Sequence, residues 1–284
     1  KYHIPSGQLL GFIGLSGVII NGSLMYKKGI PLTMDKKYHL ATLIRVSAAT
    51  ASLYSIAFGL SKTSISDFLA VFFLYPFIAI VFARILLKET MSWLQVVATC
   101  FSFIAVLMVI QPSFIFKSAK ETNPYLIFGL LSGVFASVLS LSTRYTRALP
   151  IYVPVFYVSS GFILTSLLSC SFGQATKTLD AEAFLMILVM CVLNTCGQMT
   201  MVKGLSLEKI GIAAPIGYLR VFFGFIVDIL WFGRAFNIIS VCGVLVGLLC
   251  STLLALSKIT GGGLLPRKPS YEIARLDSEI SEKQ

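Results

Sequence analysis

The sequence predicts an all-α, polytopic membrane protein that folds as a helical bundle. Hydrophobic residues make up 56% of the 284-residue chain, charged residues only 12%, and the mean hydropathy is +0.87. A soluble domain carries about 25% charged residues, because its surface must face water. The apolar residues are also gathered into runs long enough to cross a bilayer as helices. These observations argue against a soluble enzyme, a secreted disulfide scaffold and a disordered chain.

Nine apolar segments have the length of about 20 residues that a helix needs to cross a bilayer core. They cover residues 9–26, 40–61, 66–87, 93–111, 125–142, 151–171, 183–202, 210–232 and 237–257. Most connections between them are short, so neighbouring spans are predicted to be antiparallel, and no connection has room for a soluble catalytic domain. The glycine run and mixed charges that follow predict a flexible tail over residues 259–284.

The lysines and arginines are distributed unevenly between the two sides of the predicted spans. Of the 23, fifteen fall on the side that includes the tail, six fall on the other side, and Arg45 and Arg220 lie within spans. Cytosolic loops collect positive charge, so the C-terminus is predicted to be cytosolic. The net charge of +11 then reflects orientation in the bilayer and needs no nucleic-acid partner. No targeting signal separates the plasma membrane from the endomembranes.

The chain matches itself at an offset of 145 residues. Gly59-Leu60-Ser61 aligns with Gly204-Leu205-Ser206, and after each triplet come a lysine-containing loop, a span, a short turn and a final span. Because the offset covers five spans, the two halves would enter the membrane in opposite directions. Inverted repeats are typical of transporters that bind their substrate near the middle of the bilayer. The alternative is the weak apolar self-similarity of any polytopic protein.

Particular residues in each half follow a family pattern. In the first half they are Arg45, Ala57-Phe58-Gly59-Leu60, Pro76, Leu87-Lys88-Glu89 and Gln111-Pro112; in the second half they are Ala213-Ala214-Pro215-Ile216-Gly217-Tyr218 and Phe222-Phe223-Gly224-Phe225. This pattern resembles the EamA-type domains of the drug/metabolite transporter superfamily, and within it the solute carrier 35 G-like branch.

The resemblance implies ten helices in two inverted five-helix repeats around a central cavity. It also implies that transport proceeds by alternating access. Residues 1–112 would form the first repeat without its first helix, which would precede Lys1, and residues 113–258 would form the second. Two positions depart from the family pattern. Arg234 replaces the usual glutamate, and Val221 stands where the second half would repeat Pro76.

Arg220 is the first candidate for the transport pathway. It lies about ten residues inside its span, too deep for its side chain to reach the bilayer surface easily. The charge therefore predicts either an anchor for an anionic or carbonyl-rich substrate or one partner of an internal ion pair. Asp228 is the obvious acidic partner, but eight helical residues separate the two by about 12 Å. Arg220 is thus expected to contact another helix or a ligand.

Two further ionisable residues lie within spans. Arg45 is about five residues inside its span, on the cytosolic side. A side chain that reaches the cytosolic surface, or that pairs with a helix C-terminus, would explain a charge at this depth. The family pattern nevertheless places an arginine there, so Arg45 stays a candidate for the substrate pathway. Asp228 is the most interior acid, and it would either take up a proton in a coupled cycle or make a structural hydrogen bond.

Polar and aromatic residues complete the predicted pathway. Asn194 and Gln198 are four residues apart and share one helical face, which would be costly against lipid. That face is predicted to serve substrate hydrogen bonding or bonding between helices. Tyr54, Tyr75 and Tyr218 are candidates for the cavity wall, with packing or anchoring at the membrane interface as the alternative.

The sequence contains no catalytic motif. Its two histidines, His3 and His39, lie outside the apolar spans, and there is no phosphate-binding loop, nucleophile elbow or C-x-x-C pair. We therefore predict no enzymatic activity, cofactor or metal.

The function predicted from the sequence is secondary transport or exchange of a small polar organic solute. The partners are then the lipid bilayer and that solute. The alternative is a non-transporting membrane scaffold or assembly subunit. The pairs Gly129/Gly133 and Gly243/Gly247 have the spacing that allows close helix contact, either within one chain or in a homodimer.

Overall fold

The structure is a computed structural model that describes residues 5–89, 92–116, 123–171, 179–232 and 237–260. Within these ranges the chain is helical and contains no strand, which confirms the all-α prediction. The helices are α1 (Ser6–Lys27), α2 (Lys36–Lys62), α3 (Ile65–Phe72), α4 (Tyr75–Leu86), α5 (Trp93–Ile110), α6 (Ser113–Phe116), α7 (Ile127–Tyr145), α8 (Tyr152–Ser171), α9 (Ala181–Leu207), α10 (Ile210–Ile216), α11 (Leu219–Phe232) and α12 (Ile238–Thr260). The predicted tail lies outside the described residues from 261 onward.

Eight helical stretches are long and apolar enough to cross a membrane, and they coincide with eight of the nine predicted spans. They are Gly7–Lys27, Lys36–Lys62, Ile65–Leu86, Trp93–Ile110, Pro124–Tyr145, Tyr152–Cys170, Ala181–Leu207 and Ile210–Val227. The ninth prediction falls on Ile238–Leu254, an apolar part of α12 that is shorter. The protein is therefore an integral, multi-pass membrane protein.

The helix boundaries recur at the offset found in the sequence. The helices α2, α3 and α5 begin at residues 36, 65 and 93, and α9, α10 and α12 begin at residues 181, 210 and 238. Each pair is separated by 145 positions, so the match extends from a few residue identities to the order of the helices. The repeat boundaries at residues 112 and 258, and the opposite orientation of the halves, stay predictions.

The helices form two compact units, and each unit draws on both halves of the sequence. Among the described residues, the first unit comprises residues 5–50, 142–171 and 179–207, and the second comprises residues 51–89, 92–116, 123–141, 208–232 and 237–260. Helices α2 and α7 contribute residues to both units. The two compact units therefore do not coincide with the two predicted sequence repeats.

In the first unit, glycines bring α1 close to α8. A Cβ atom at Gly14 would lie only 2.8 Å from the Ser159 carbonyl oxygen, and one at Gly11 would lie 2.6 Å from Ser166 Oγ. Such close backbone contact maximises van der Waals attraction, which drives helix association where no water is present. The packing of α1 thus depends on small residues.

Arg144 fixes the end of α9 in the same unit. Its buried side chain donates from Nη1 to the Ser206 carbonyl at 2.9 Å, with the Leu205 carbonyl at 3.4 Å. The last carbonyls of a helix lack partners within the helix and carry partial negative charge, so an arginine stabilises them. Arg144 follows the predicted span 125–142, and no local sequence signal indicates this role.

The second unit is stabilised by a cluster of aromatic residues and by the packing of α5 against α12. Its core is a cluster of eight buried residues: Phe68, Phe72, Phe73, Tyr75, Ala105, Val106, Tyr218 and Phe222. A Cβ atom at Gly243 would lie 2.8 Å from the Ala105 carbonyl oxygen, and one at Gly133 would lie 3.1 Å from the Phe72 carbonyl oxygen. Both predicted small-residue pairs therefore supply packing within the chain.

Two acidic side chains stabilise helix starts in this unit. Glu89 Oε2 accepts a hydrogen bond from the Ile210 amide at 3.0 Å, at the first residue of α10. Asp67 accepts from the Ser64 hydroxyl at 2.7 Å and from the amide and hydroxyl of Ser113. Carboxylates are favourable at helix N-termini because free amides and the helix dipole meet there. Both acids thus have structural roles.

We expect Gly243→Ala to lower the free energy of unfolding by about 1–3 kcal/mol, because its methyl group would press on the Ala105 carbonyl of α5. Gly224→Ala in α11 is the control, since no atom lies within 4 Å of the position of its Cβ. The control variant should be unchanged or slightly stabilised by its better helix propensity. Thermal unfolding in detergent measures both, and equal melting temperatures for the two variants would contradict the packing described for α5 and α12.

Candidate functional site

Two of the membrane-crossing stretches are interrupted at matched positions. The first breaks between α3 and α4 at Phe73-Leu74, and the second breaks between α10 and α11 at Gly217-Tyr218. Pro76 is the second residue of α4 and Pro215 lies inside α10; neither has a backbone N–H to continue the hydrogen-bond ladder. Transporters commonly bind their substrates at interrupted helices. The two breaks are therefore candidate positions for a substrate-binding site.

Tyrosines join the two interruptions inside the second unit. The Tyr218 hydroxyl donates to the Phe73 carbonyl at 2.9 Å, and the Tyr75 hydroxyl lies 3.5 Å from the Ala214 carbonyl. Tyr218 is completely buried and Tyr75 nearly so. Tyr218 thus satisfies the Phe73 carbonyl in a place that water reaches poorly, whereas the Ala214 carbonyl already accepts from the Gly217 amide at 3.0 Å and the Tyr75 hydroxyl lies beside it. We call these four residues the helix crossing.

Arg220 extends from the start of α11 beside the helix crossing. Its Cζ atom lies 5.0 Å from the ring centre of Phe73, 5.3 Å from that of Tyr75 and 5.6 Å from that of Phe72. These distances are within the range of cation–π attraction. The Arg220 side chain is nevertheless exposed, and it makes no hydrogen bond or ion pair with the part of the chain that the structure describes. The expected contact with another helix is thus aromatic and leaves the N–H donors available.

Arg45 lies in the first unit and is completely buried on α2. Its Nε and Nη1 atoms have no hydrogen-bond partner among the described residues. The interpretation that this side chain reaches the cytosolic surface is therefore wrong, because such a side chain would expose its tip to water. A buried guanidinium without a counterion is costly, which is typical of groups retained for function.

Asn194 and Gln198 lie on a partly exposed face of α9, which we call the open face. Asn194 is exposed and Gln198 half-buried, and no atom lies within 4 Å of the position where Gly197 would carry a Cβ. Cys191 and Thr195, each three residues before one of the two amides on the same side of α9, are buried, so the amides lie at the edge of the packed face. The open face therefore combines two amides with a glycine that leaves room beside the helix.

The remaining candidates are placed as follows. Tyr54 is half-buried on α2, in the part of that helix that belongs to the second unit. The side chain of Asp228 on α11 lies outside the described residues, so its predicted coupling role stays a prediction. The structure brings Tyr75, Tyr218 and Arg220 together in the second unit and places Asn194, Gln198 and Arg45 in the first.

Apart from Asp228, which lies four residues before the end of α11 and whose side chain is outside the described part, the acidic residues of the described ranges lie at helix ends and in connections. They are Asp35, Asp67, Glu89, Asp180, Glu182 and Glu208. No group of three or more histidine, cysteine, aspartate or glutamate residues in these ranges is arranged to hold a metal ion. The two arginines within the spans thus have no described carboxylate beside them.

Comparisons with known proteins point to one family. The sequence model of the EamA-like transporter family matches residues 4–111 and 123–256. Human solute carrier family 35 member G1 is 22% identical over 227 residues, which are 76% of this chain and 62% of that protein. An uncharacterized transporter of Helicobacter pylori (strain ATCC 700392 / 26695) is 26% identical over 222 residues, 74% of this chain and 71% of its own length.

Structural comparison agrees on the fold. A protein of known crystal structure superposes with a TM-score of 0.78 and 12% identity, covering 89% of this chain and 90% of its own. At that identity the likeness concerns the fold alone. The chain spans about 62% of the length of the human relative.

The hydrogen bond of Tyr218 predicts a measurable loss of stability. In Tyr218→Phe the buried Phe73 carbonyl loses its donor, which should cost about 1–3 kcal/mol. Tyr26→Phe is the matched control, since Tyr26 is 89% exposed. Thermal unfolding should show a lower melting temperature for Tyr218→Phe only. An unchanged temperature would mean that the bond contributes nothing to the helix crossing.

The buried charge of Arg45 predicts the opposite effect. Arg45→Met removes an unpaired buried cation and keeps the side-chain volume, so the melting temperature should rise by several degrees. Solute uptake should fall, because a costly buried charge is typical of a functional group. Arg84→Met, which changes an exposed arginine at the end of α4, should alter neither. A clear fall in the melting temperature of Arg45→Met would show that the guanidinium is structural.

Proposed function

The chain belongs to the EamA-like transporter family, and we propose that it transports or exchanges a small polar organic solute by alternating access through a central cavity. As a multi-pass membrane protein of a transporter family, it would work as a secondary transporter. This family membership also points away from catalysis. The uneven distribution of lysine and arginine supports a cytosolic C-terminus.

The observation that carries this proposal is the exposed guanidinium of Arg220 beside two interrupted helices. A charge this deep in a membrane span is expensive unless it faces water, a partner or a ligand. Its aromatic neighbours hold it in place without neutralising it. Arg220 is therefore suited to bind a polar group that reaches the middle of the bilayer.

The other candidate residues fit different parts of such a pathway. Asn194 and Gln198 would give hydrogen bonds to the solute from the open face of α9. Tyr75 and Tyr218 would keep the interrupted helices in register at the helix crossing. Arg45 would contact the solute in another state of the cycle. A proton-coupling role for Asp228 belongs to the same proposal.

A non-transporting scaffold is the second candidate, and it makes a different structural prediction. Every buried polar group of a scaffold should pair with another, because no ligand arrives to satisfy it. Arg45 Nε and Nη1 and Asn21 Oδ1 have no such partner among the described residues. A scaffold also gives no reason for the amides on the open face of α9. Both observations favour transport.

Proteoliposomes that contain the purified protein test the proposal. We expect uptake or exchange of at least one solute from a panel of labelled sugars, amino acids, organic acids, phosphate esters and polyamines. The double variant Asn194→Leu/Gln198→Leu should reduce that uptake at least about tenfold, since two hydrogen bonds to the solute are lost.

The matched control is Thr200→Val on another exposed face of α9. The Thr200 hydroxyl bonds to its own helix at the Cys196 carbonyl, 2.9 Å away, so uptake should stay close to wild type. Equal uptake by the control and the double variant would remove the open face of α9 from the pathway. Liposomes that take up no solute of the panel above the protein-free background would contradict transport altogether.

A further inference from the structure

We infer that the solute is an organic anion, recognised through a carboxylate or phosphate group by the guanidinium of Arg220. The inference rests on the proposed transport function and names the chemical class of its substrate. Charge and geometry support it separately.

The charges within the spans are mainly positive. Two arginines, Arg45 and Arg220, lie well inside membrane-crossing helices. Asp228, about 12 Å from Arg220 along α11, is the one acid of the described ranges within such a span, and the others lie at helix ends and in connections. Two of those acids, Asp67 and Glu89, are already hydrogen-bonded at helix starts. In a medium of low dielectric constant an uncompensated charge acts strongly on a ligand. The interior should therefore attract anions and repel cations.

The surroundings of Arg220 leave its donors free for such an anion. A guanidinium presents five N–H donors in a planar fork that matches a carboxylate or a phosphate in a bidentate way. Phe72, Phe73 and Tyr75 attract the cation through their rings, and ring faces do not neutralise its charge. The side chain is thus positioned and still lacks an acceptor among the described residues.

The start of α11 also favours the binding of an anion beside Arg220. Arg220 is the second residue of this 14-residue helix, where the Val221 amide already donates to the Tyr218 carbonyl at 2.9 Å, so the contribution of the helix start to an anion comes from its dipole. The positive end of the helix dipole lies in the same place, so it favours negative charge. An anion bound by Arg220 would lie near it. A neutral solute would leave the guanidinium charge uncompensated, and a cation would be repelled.

Charge-matched solute pairs test the inference. The probes are succinate against succinamide and glucose 6-phosphate against glucose, because each pair differs mainly in its anionic groups. We expect thermal stabilisation of the purified full chain by at least one anion and by neither neutral partner. The carboxylate and phosphate pairs also tell the two kinds of anion apart.

Variants then assign the effect to Arg220. Arg220→Gln should weaken the apparent affinity for the anion at least about tenfold, and Arg220→Lys should retain part of it, since the charge stays but the planar fork is lost. Arg147→Gln makes the same chemical change in an exposed connection and should leave the affinity unchanged. A monodisperse peak in size-exclusion chromatography confirms that each variant is folded.

The outcomes separate this inference from the proposed function. Transport of only neutral or cationic solutes would overturn the anion and leave transport standing. Anion binding that depends on Arg220, in liposomes that transport nothing, would support the inference and contradict transport. No stabilisation by either anion, or stabilisation that Arg220→Gln leaves unchanged, would overturn the inference.

Discussion

The hydrogen bond from the Tyr218 hydroxyl to the Phe73 carbonyl is the interaction on which the candidate site depends. An interrupted helix inside a membrane exposes backbone groups that lipid cannot satisfy. Here the Tyr218 hydroxyl of one interruption satisfies the Phe73 carbonyl of the other, and aromatic rings of the same cluster surround the bond. The break in α10 and α11 is thereby fixed, and with it the direction in which Arg220 leaves the backbone.

Charge placement follows from the same constraint. The structure uses carboxylates at helix starts and Arg144 at a helix end, where unpaired backbone groups need them. Arg45 and Arg220 have no such backbone task among the described residues. Arg45 is buried and Arg220 lies exposed beside aromatic rings, and neither has an ion-pair partner in the part of the chain that the structure describes. Transport explains both arginines better than a scaffold does.

Much of the fold could be predicted from the sequence, because membrane helices are specified by local composition. Eight predicted spans coincide with helices of sufficient length, and the repeat offset recurs in the helix starts. The shared face of Asn194 and Gln198 follows from helical spacing alone. Arg220 stands out by its depth in a span, and the structure places it against the rings of Phe72, Phe73 and Tyr75; its place in a substrate pathway stays a prediction.

What the sequence did not reveal depends on tertiary contacts. Depth within a straight span suggested that Arg45 could reach the surface, but packing around α2 encloses it. The role of Arg144 requires that α9 ends beside it, and the role of Tyr218 requires that the two interrupted helices meet. Neither of these tertiary contacts can be predicted from the local sequence. Hydropathy therefore predicts where helices lie, whereas the assignment of function depends on which polar groups remain unsatisfied after the helices pack.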